Sequence, residues 1–260
     1  MKLAIVGAGK MGGAVLTGAL RAGVLDSQDV GIYHPNDARR DALAAQYGVS
    51  PLSDDAIHRA ERVLVAVKPQ SFDAVAPLIA QRNASYISLM AGVSAETIAK
   101  RVGSSRVVRA MPNMGARVGL SATALAALPQ ATGEDVEMAE QLFSAVGTVY
   151  QIPERLFDAF TGLAGSGPAF AAVFAEALSD GGVRVGFSRD VARDLARQVM
   201  AATAKLLEEA PPANLKDEVS SPGGTAITGV TALEKHGLRY AAIRAVEEAS
   251  ARAQALSQEE

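Results

Sequence analysis

Apolar residues in the first part of the chain follow two alternating rhythms: short unbroken runs, and longer stretches where they recur at helical spacing. The runs at residues 2–6, 30–33, 63–67, 86–89 and 107–110 predict strands. Two more, at 122–126 and 148–152, flank a helical pattern through 136–143. Val63-Leu64-Val65-Ala66-Val67 is apolar at every position, as a parallel strand covered on both faces requires. Strands alternating with helical patterns predict an α/β fold built on a doubly wound sheet. After Pro153 the strand runs stop. Val191, Leu195, Val199, Ala202 and Leu206 recur with helical period over residues 189–210, and Ser188 is placed to cap that helix. A second long helix is predicted over 238–257, and a third over 168–180, ending at Gly181-Gly182. The pattern therefore divides the chain into an α/β domain, residues 1–152, and an all-helical domain, 153–260.

Composition removes several classes of function. Of 260 residues, 49% are hydrophobic and 20% charged, the balance of a folded globular chain. A formal net charge of -3 lacks the basic surplus of proteins that live on phosphate backbones, so no nucleic-acid partner is expected. The sequence contains no cysteine, hence no thiolate nucleophile or cysteine metal site. His34, His58 and His236 lie far apart without a second ligand at metal-site spacing, and no metal is expected. The longest uncharged run, 159–175, is shorter than the roughly 20 residues that span a bilayer and is broken by glycine and proline. The expected location is the cytoplasm. The helical half is alanine-rich and poor in large aromatics, so it gains from pairing with a second copy, and a homodimer through this half is expected.

Chemistry enters at the amino terminus with Gly7-Ala8-Gly9-Lys10-Met11-Gly12. This G-x-G-x-x-G follows a predicted strand directly and leads into a helical pattern at 14–22, the order a Rossmann-like dinucleotide site needs. Gly7 permits the tight turn, Gly9 lets the backbone approach a pyrophosphate, and Gly12 lets the helix sit close to the strand. The diphosphate would then rest on the helix N-terminus. The second strand ends Tyr33-His34-Pro35-Asn36 with no carboxylate before Asp37, while Arg39 and Arg40 follow. An acid at this strand end binds the ribose 2′-hydroxyl and repels a 2′-phosphate, so its absence favours NADP(H) and leaves NAD(H) open. Arg39 and Arg40 also fit as solvated residues of the next helix. Ala66-Val67-Lys68-Pro69 and Met90-Ala91-Gly92-Val93 stand where further strands of such a sheet end, the edge at which its ligands lie. Lys68 is placed to meet a phosphate or ribose edge, and Ala91-Gly92 to leave room for a nicotinamide.

A second candidate lies near the end of the helical half. Ser220-Ser221-Pro222-Gly223-Gly224-Thr225-Ala226 opens into a helical pattern over 227–233. A Pro-Gly-Gly turn leading into a helix presents free N–H groups at the positive end of the helix dipole, which suits a small carboxylate. The same residues also serve as a plain loop and cap. This loop resembles the signature of the pyrroline-5-carboxylate reductase family, and other blocks agree in order: Gly7 to Gly12, Ala66-Val67-Lys68-Pro69-Gln70, Arg109-Ala110-Met111-Pro112-Asn113, and Gly165-Ser166-Gly167-Pro168-Ala169-Phe170.

The resemblance covers essentially the whole chain. It implies NADPH-dependent reduction of 1-pyrroline-5-carboxylate to L-proline, the last step of proline biosynthesis. It further implies a helical dimerisation domain interleaved with its partner's, dimers assembling into a decamer, and an active site between one subunit's nucleotide domain and the other's helical domain. By position, Lys10, Met11, Asn36, Ser53, Val67, Lys68 and Ala91 would meet the cofactor, beside the glycine turn with Ala8, Arg39, Ala66 and Pro69. Glu209, Ser221, Gly224, Thr225 and Ala226 would meet the substrate. Three positions depart from the family's pattern. Ala226 replaces a second threonine whose hydroxyl is thought to reach the ring nitrogen, Met114-Gly115 replaces Thr-Pro, and Glu218 stands where some members carry asparagine. With Ala226, the proton donor is open among Thr225, Glu209, a water, and a substrate that enters protonated. Another imine reductase, a β-hydroxyacid dehydrogenase-like enzyme, and a non-catalytic NADP-binding protein share parts of this plan. The β-hydroxyacid dehydrogenases use a lysine on an interdomain helix, and residues 168–180 contain none.

Overall fold

A computed structural model describes residues 2–259. Among them, eight strands form one sheet: β1 (Leu3–Val6), β2 (Val30–Tyr33), β3 (Ser50–Pro51), β4 (Arg62–Val65), β5 (Ser85–Ser88), β6 (Val107–Pro112), β7 (Ser121–Ala127) and β8 (Gly147–Gln151). Their order in space is β3-β2-β1-β4-β5-β6-β7-β8. Every neighbouring pair is parallel except β6 and β7. Seven of these strands stand where the apolar runs predict them. The eighth, β3, pairs only through Ser50 and Pro51 at the edge, where a proline is tolerated and no apolar run announces a strand.

Alternation along the central strands builds two cores. Ala4, Val6, Val63 and Val65 face one layer, with helices α3 (Asp54–Ile57), α4 (Phe72–Ile79) and α5 (Ala95–Val102) supplying Ile57, Val75 and Ile98. Leu3, Ile5, Leu64 and Ile87 face the other, against Val15 and Leu16 of α1 (Lys10–Arg21), Leu43 of α2 (Asp37–Tyr47) and Phe143 of α6 (Gly133–Ser144). A central strand buried on both faces needs no polar side chain, which is why these runs read as continuous.

The chain divides into two compact units, residues 2–165 with 250–259, and Ser166–Ala249. The periodicity changes at Pro153, but the segment just beyond it stays with the sheet. Phe157, on α7 (Phe157–Phe160), is 1% exposed and packs with Met111 and Ala124 of the sheet. Asp158 accepts a hydrogen bond from Ser257 Oγ at 2.9 Å, and the π-helical turn Thr161–Gly165 brings Gly162 so close to Ser250 that an added Cβ would lie 2.1 Å from its Oγ.

The second unit is helical: α8 (Gly167–Arg184), α9 (Arg189–Leu206), α10 (Pro212–Val219), α11 (Thr225–Lys235) and the first turns of α12 (Leu238–Glu259). The glycine pair expected to end α8 lies inside it. An added Cβ at Gly182 would sit 3.0 Å from Ala192 Cβ, so this glycine serves close helix packing, and the chain turns instead at Gly186, φ +109°. Ser188 caps α9 through the Val191 N–H. The face of α9 that its own unit buries is Ala192 and Ala196, whereas Val191, Leu195 and Val199 remain 48%, 46% and 51% exposed. The apolar stripe legible in the sequence therefore has no cover within this chain's helical unit. No helix among the described residues is long and apolar enough to cross a membrane.

One buried ion pair ties the start of β6 to α6. Asp135, fully buried, accepts from Arg106 Nε at 2.9 Å and Nη2 at 2.7 Å and shares a capping box with Thr132. Burial pushes its carboxyl up, but the Arg106 and Thr132 hydrogen bonds outweigh burial and hold it at about 2. A folded-state value below the unfolded one stabilises the protein above the unfolded value, and that contribution is lost as pH falls through the folded one. Asp135→Asn is expected to cost about 3 kcal/mol near neutral pH, the usual loss on breaking a buried pair. The gap to the parent should narrow by about 1 kcal/mol between pH 7 and pH 3 in urea melts; a pH-independent gap would show that Asp135 acts only as a cap.

Candidate active site

The turn between β1 and α1 is shaped by contacts only glycine permits. Gly7 adopts φ +88°, and an added Cβ would lie 2.8 Å from the carbonyl oxygen of Ala66. At Gly12 an added Cβ would lie 2.9 Å from Ala66 Cβ and from the Gly7 oxygen. Gly9 differs: nothing of the chain lies within 4 Å of where its Cβ would be. It is the N-cap of α1 and offers no side-chain cap, so the first N–H groups of a twelve-residue helix face that open space. Ala8 is 1% exposed and packs in the core, leaving only its backbone for a ligand. The strand order reverses direction of growth between β1 and β4, so the turn sits at the switch point where doubly wound sheets bind ligands. Ala66 and Val67 form the opposite wall, followed by exposed Lys68 and then Pro69.

The end of β2 carries the next group. Asn36 caps α2 by accepting from the Arg39 N–H at 2.9 Å, and its own N–H donates to His34 Nδ1 at 3.0 Å. Arg40 is occupied by Asp37 at 2.7 Å and Asp41 at 2.9 Å. Arg39 is exposed and makes no ion pair among the described residues, so of the two arginines it is the one available to an anion. His34 is shifted toward its neutral form, first by burial and then by the Arg39 charge. Ser53 caps α3 through the Ala56 N–H. Two residues of this corner carry no motif: the Tyr33 hydroxyl donates to Asp54 Oδ1 at 2.8 Å. The signal was the tyrosine itself, since a buried ring must place its hydroxyl somewhere.

Beyond β5 the chain turns through exposed Ala91 and half-buried Gly92, φ +80°. Beyond β6, Asn113 donates from Nδ2 to the Ala164 oxygen at 2.8 Å and accepts from the Gly115 N–H at 2.9 Å. Glu154 joins the start of α5 to β6, accepting from the Ala95 N–H at 2.8 Å and from the buried Arg109 at 3.0 Å. None of these braces is legible in residue spacing, because each joins residues more than 40 positions apart.

In the helical unit, Gly223 takes φ +68° and Gly224 caps α11 without a side-chain bond, leaving its first N–H groups open. An added Cβ at Gly224 would strike Ser221 Oγ at 2.2 Å. Ser221 and Thr225 are exposed, as is Glu209 in the turn after α9. Ala226, half-buried, lines a pocket of about 330 Å³ with Leu206, Leu207, Val219 and Val230.

A family profile for pyrroline-5-carboxylate reductase dimerisation matches residues 154–256, and one for coenzyme F420-dependent NADP oxidoreductases matches residues 2–92. The pyrroline-5-carboxylate reductase of Thermus thermophilus is 49% identical over 100% of both chains. The chain belongs to the pyrroline-5-carboxylate reductase family. The reductase of Synechocystis is 42% identical over 98% of each chain. Among solved structures, the reductase of Coxiella burnetii superposes with a TM-score of 0.89 at 28% identity, covering 98% of each chain. That of Plasmodium falciparum, solved with NADP bound, gives 0.85 at 26% identity, covering 99% of this chain and 98% of the other. Of the departures read from the sequence, Met114 follows Asn113 and is 48% exposed, and Glu218 is exposed on α10.

The two glycines of the turn should separate in a melting experiment. Gly12→Ala forces apart the Ala66 contact and should lower Tm by several degrees, about 1 to 3 kcal/mol of overpacking. Gly9→Ala has room and should leave Tm within about 1 °C. Equal losses would mean that Gly9 is also a packing position.

Proposed function

We propose that this chain catalyses the NADPH-dependent reduction of 1-pyrroline-5-carboxylate to L-proline, the last step of proline biosynthesis, in the cytoplasm. The carrying observation is the open cradle at Gly9, on the N-terminus of α1, in a chain whose likeness to these reductases runs end to end. The functional division follows the change of periodicity, with residues 1–152 holding the nucleotide and 153–260 holding substrate and partner.

In this reading the backbone of Gly7 to Gly12, with Lys10 and Met11, holds the diphosphate. Asn36, Arg39 and Ser53 hold the adenosine end, and Ala66 to Pro69 with Ala91 border the nicotinamide ribose and ring. The reduced nicotinamide supplies a hydride to the imine carbon. The chain's own contribution is orientation, which converts a bimolecular encounter into a positioned one. The α11 N-terminus and the Ser221 hydroxyl hold the substrate carboxylate, with Gly224 and Ala226 giving backbone contact and Glu209 at the rim. Thr225, the exposed hydroxyl at that helix start, gives its proton to the ring nitrogen as the carbon takes the hydride, and regains one from solvent. The uncovered stripe of α9 supports a homodimer through the helical half, and we assign the higher assembly to a decamer of such dimers. The nucleotide half of one subunit then meets the helical half of its partner.

Purified protein should oxidise NADPH only when the cyclic imino acid is added, followed by absorbance of the reduced nicotinamide; a lack of turnover with either dinucleotide would sink the reading. Arg39→Ala should raise KM for NADPH by about tenfold, the worth of one charge-assisted hydrogen bond, with little change for NADH. Light scattering should give at least a dimer, and Val199→Glu should shift it toward monomer. A parent protein that runs as a monomer contradicts the assembly.

A further inference from the structure

The end of β2 lacks the carboxylate that would select a free ribose, yet the fold delivers one from elsewhere. Tyr33 is the last residue of β2 and 2% exposed, its ring packed in the core with Val6, Leu52 and Ile57. Its hydroxyl reaches Asp54, the first residue of α3 and the neighbour of Ser53, at 2.8 Å. Burial, and then the Asp54 bond, push the tyrosine up to about 12, so it stays a protonated donor across the working range. Asp37 and Asp41 of α2 share a single guanidinium, that of Arg40. Asp54 has no ion pair among the described residues, and neither has Arg39. Asp54 on α3 and Arg39 on α2 are therefore an unpaired carboxylate and an unpaired guanidinium among the described residues, with Asp55 as a second unpaired carboxylate beside Asp54.

We propose that Asp54 is a specificity-determining residue, held at the end of β2 by Tyr33, which opposes Arg39 and lowers the preference for the 2′-phosphorylated dinucleotide. Tyr33 occupies Oδ1, leaving Oδ2 to accept from a free 2′-hydroxyl or to repel a 2′-phosphate. Tyr33 is a positioning residue, acting only through Asp54. The balance of Asp54 against Arg39 then sets how far the chain accepts NADH beside NADPH. The inference rests on the reading of this end as the adenosine site.

Calorimetric titration of the full chain with adenosine 2′,5′-bisphosphate and with adenosine 5′-monophosphate tests it without catalysis. Asp54→Asn keeps the acceptor for Tyr33 and removes the charge. It should raise affinity for the bisphosphate by about three- to tenfold, the relief of a screened charge–phosphate repulsion, and leave or weaken that for the monophosphate. The ratio of kcat/KM for NADPH over NADH should rise by the same factor through KM, with kcat unmoved. Tyr33→Phe should change the ratio in the parent and leave it unchanged when Asp54 is already asparagine. A ratio within twofold of the parent in Asp54→Asn, or equal losses for both ligands, overturns the assignment. If the parent itself binds neither ligand, the nucleotide reading falls with it; if the parent binds both and the ratio does not move, only the role of Asp54 falls.

Discussion

The close approach of the first turn to the end of β4 governs the nucleotide half. Gly7 and Gly12 both lie against Ala66, at distances no side chain tolerates, and that contact sets where α1 begins. Because the helix begins there, its free N–H groups open at the switch point between β1 and β4 and not over a strand. Gly9 can then stay uncrowded, since the packing demand is met on either side of it. The rest of the site is a set of loops hung from strand ends whose positions this contact and the two cores fix.

Those loops are held by long-range hydrogen bonds. Asn113 is tied to the π-helical turn, while Glu154 joins Arg109 on β6 to the start of α5. Arg109 also lies over the Phe157 ring, 4.8 Å from its centre, so the same segment fills a core gap and links β6 to α5. This explains why the chain past Pro153 remains with the sheet: its anchors are a buried aromatic ring and a bridging carboxylate, neither of which alters local periodicity. Hydrophobic rhythm reports which face of an element is covered, not which element covers it.

That limit marks what the sequence could show. Seven strands, the glycine turn and the long helices were legible because each is a local pattern repeated over several residues. The two-residue β3, the continuation of α8 through Gly181 and Gly182, and the Tyr33–Asp54 bond were not. In each case the deciding partner is remote: Ile32 for β3, Ala192 for Gly182, and a residue 21 positions away for Tyr33. The α9 stripe was legible as apolar, but its meaning was not, since an exposed stripe and a core stripe have the same spacing.

At the start of α11, helix phase separates the two candidate residues Thr225 and Ala226. Successive side chains of a helix are turned by about 100°, so positions 225 and 226 cannot both face the same way. Thr225 is exposed, and Ala226 lines a pocket whose walls include Leu206, Leu207, Val219 and Val230. A small apolar side chain suits that wall, whereas a hydroxyl there would need a partner to offset its desolvation. The hydroxyl that this chain offers at the start of α11 is therefore on Thr225, beside the same open N–H groups that suit a carboxylate. The inner face of α11 is thus apolar at Ala226 while its outer face carries the Thr225 hydroxyl, so a donor and open N–H groups sit together on one helix end.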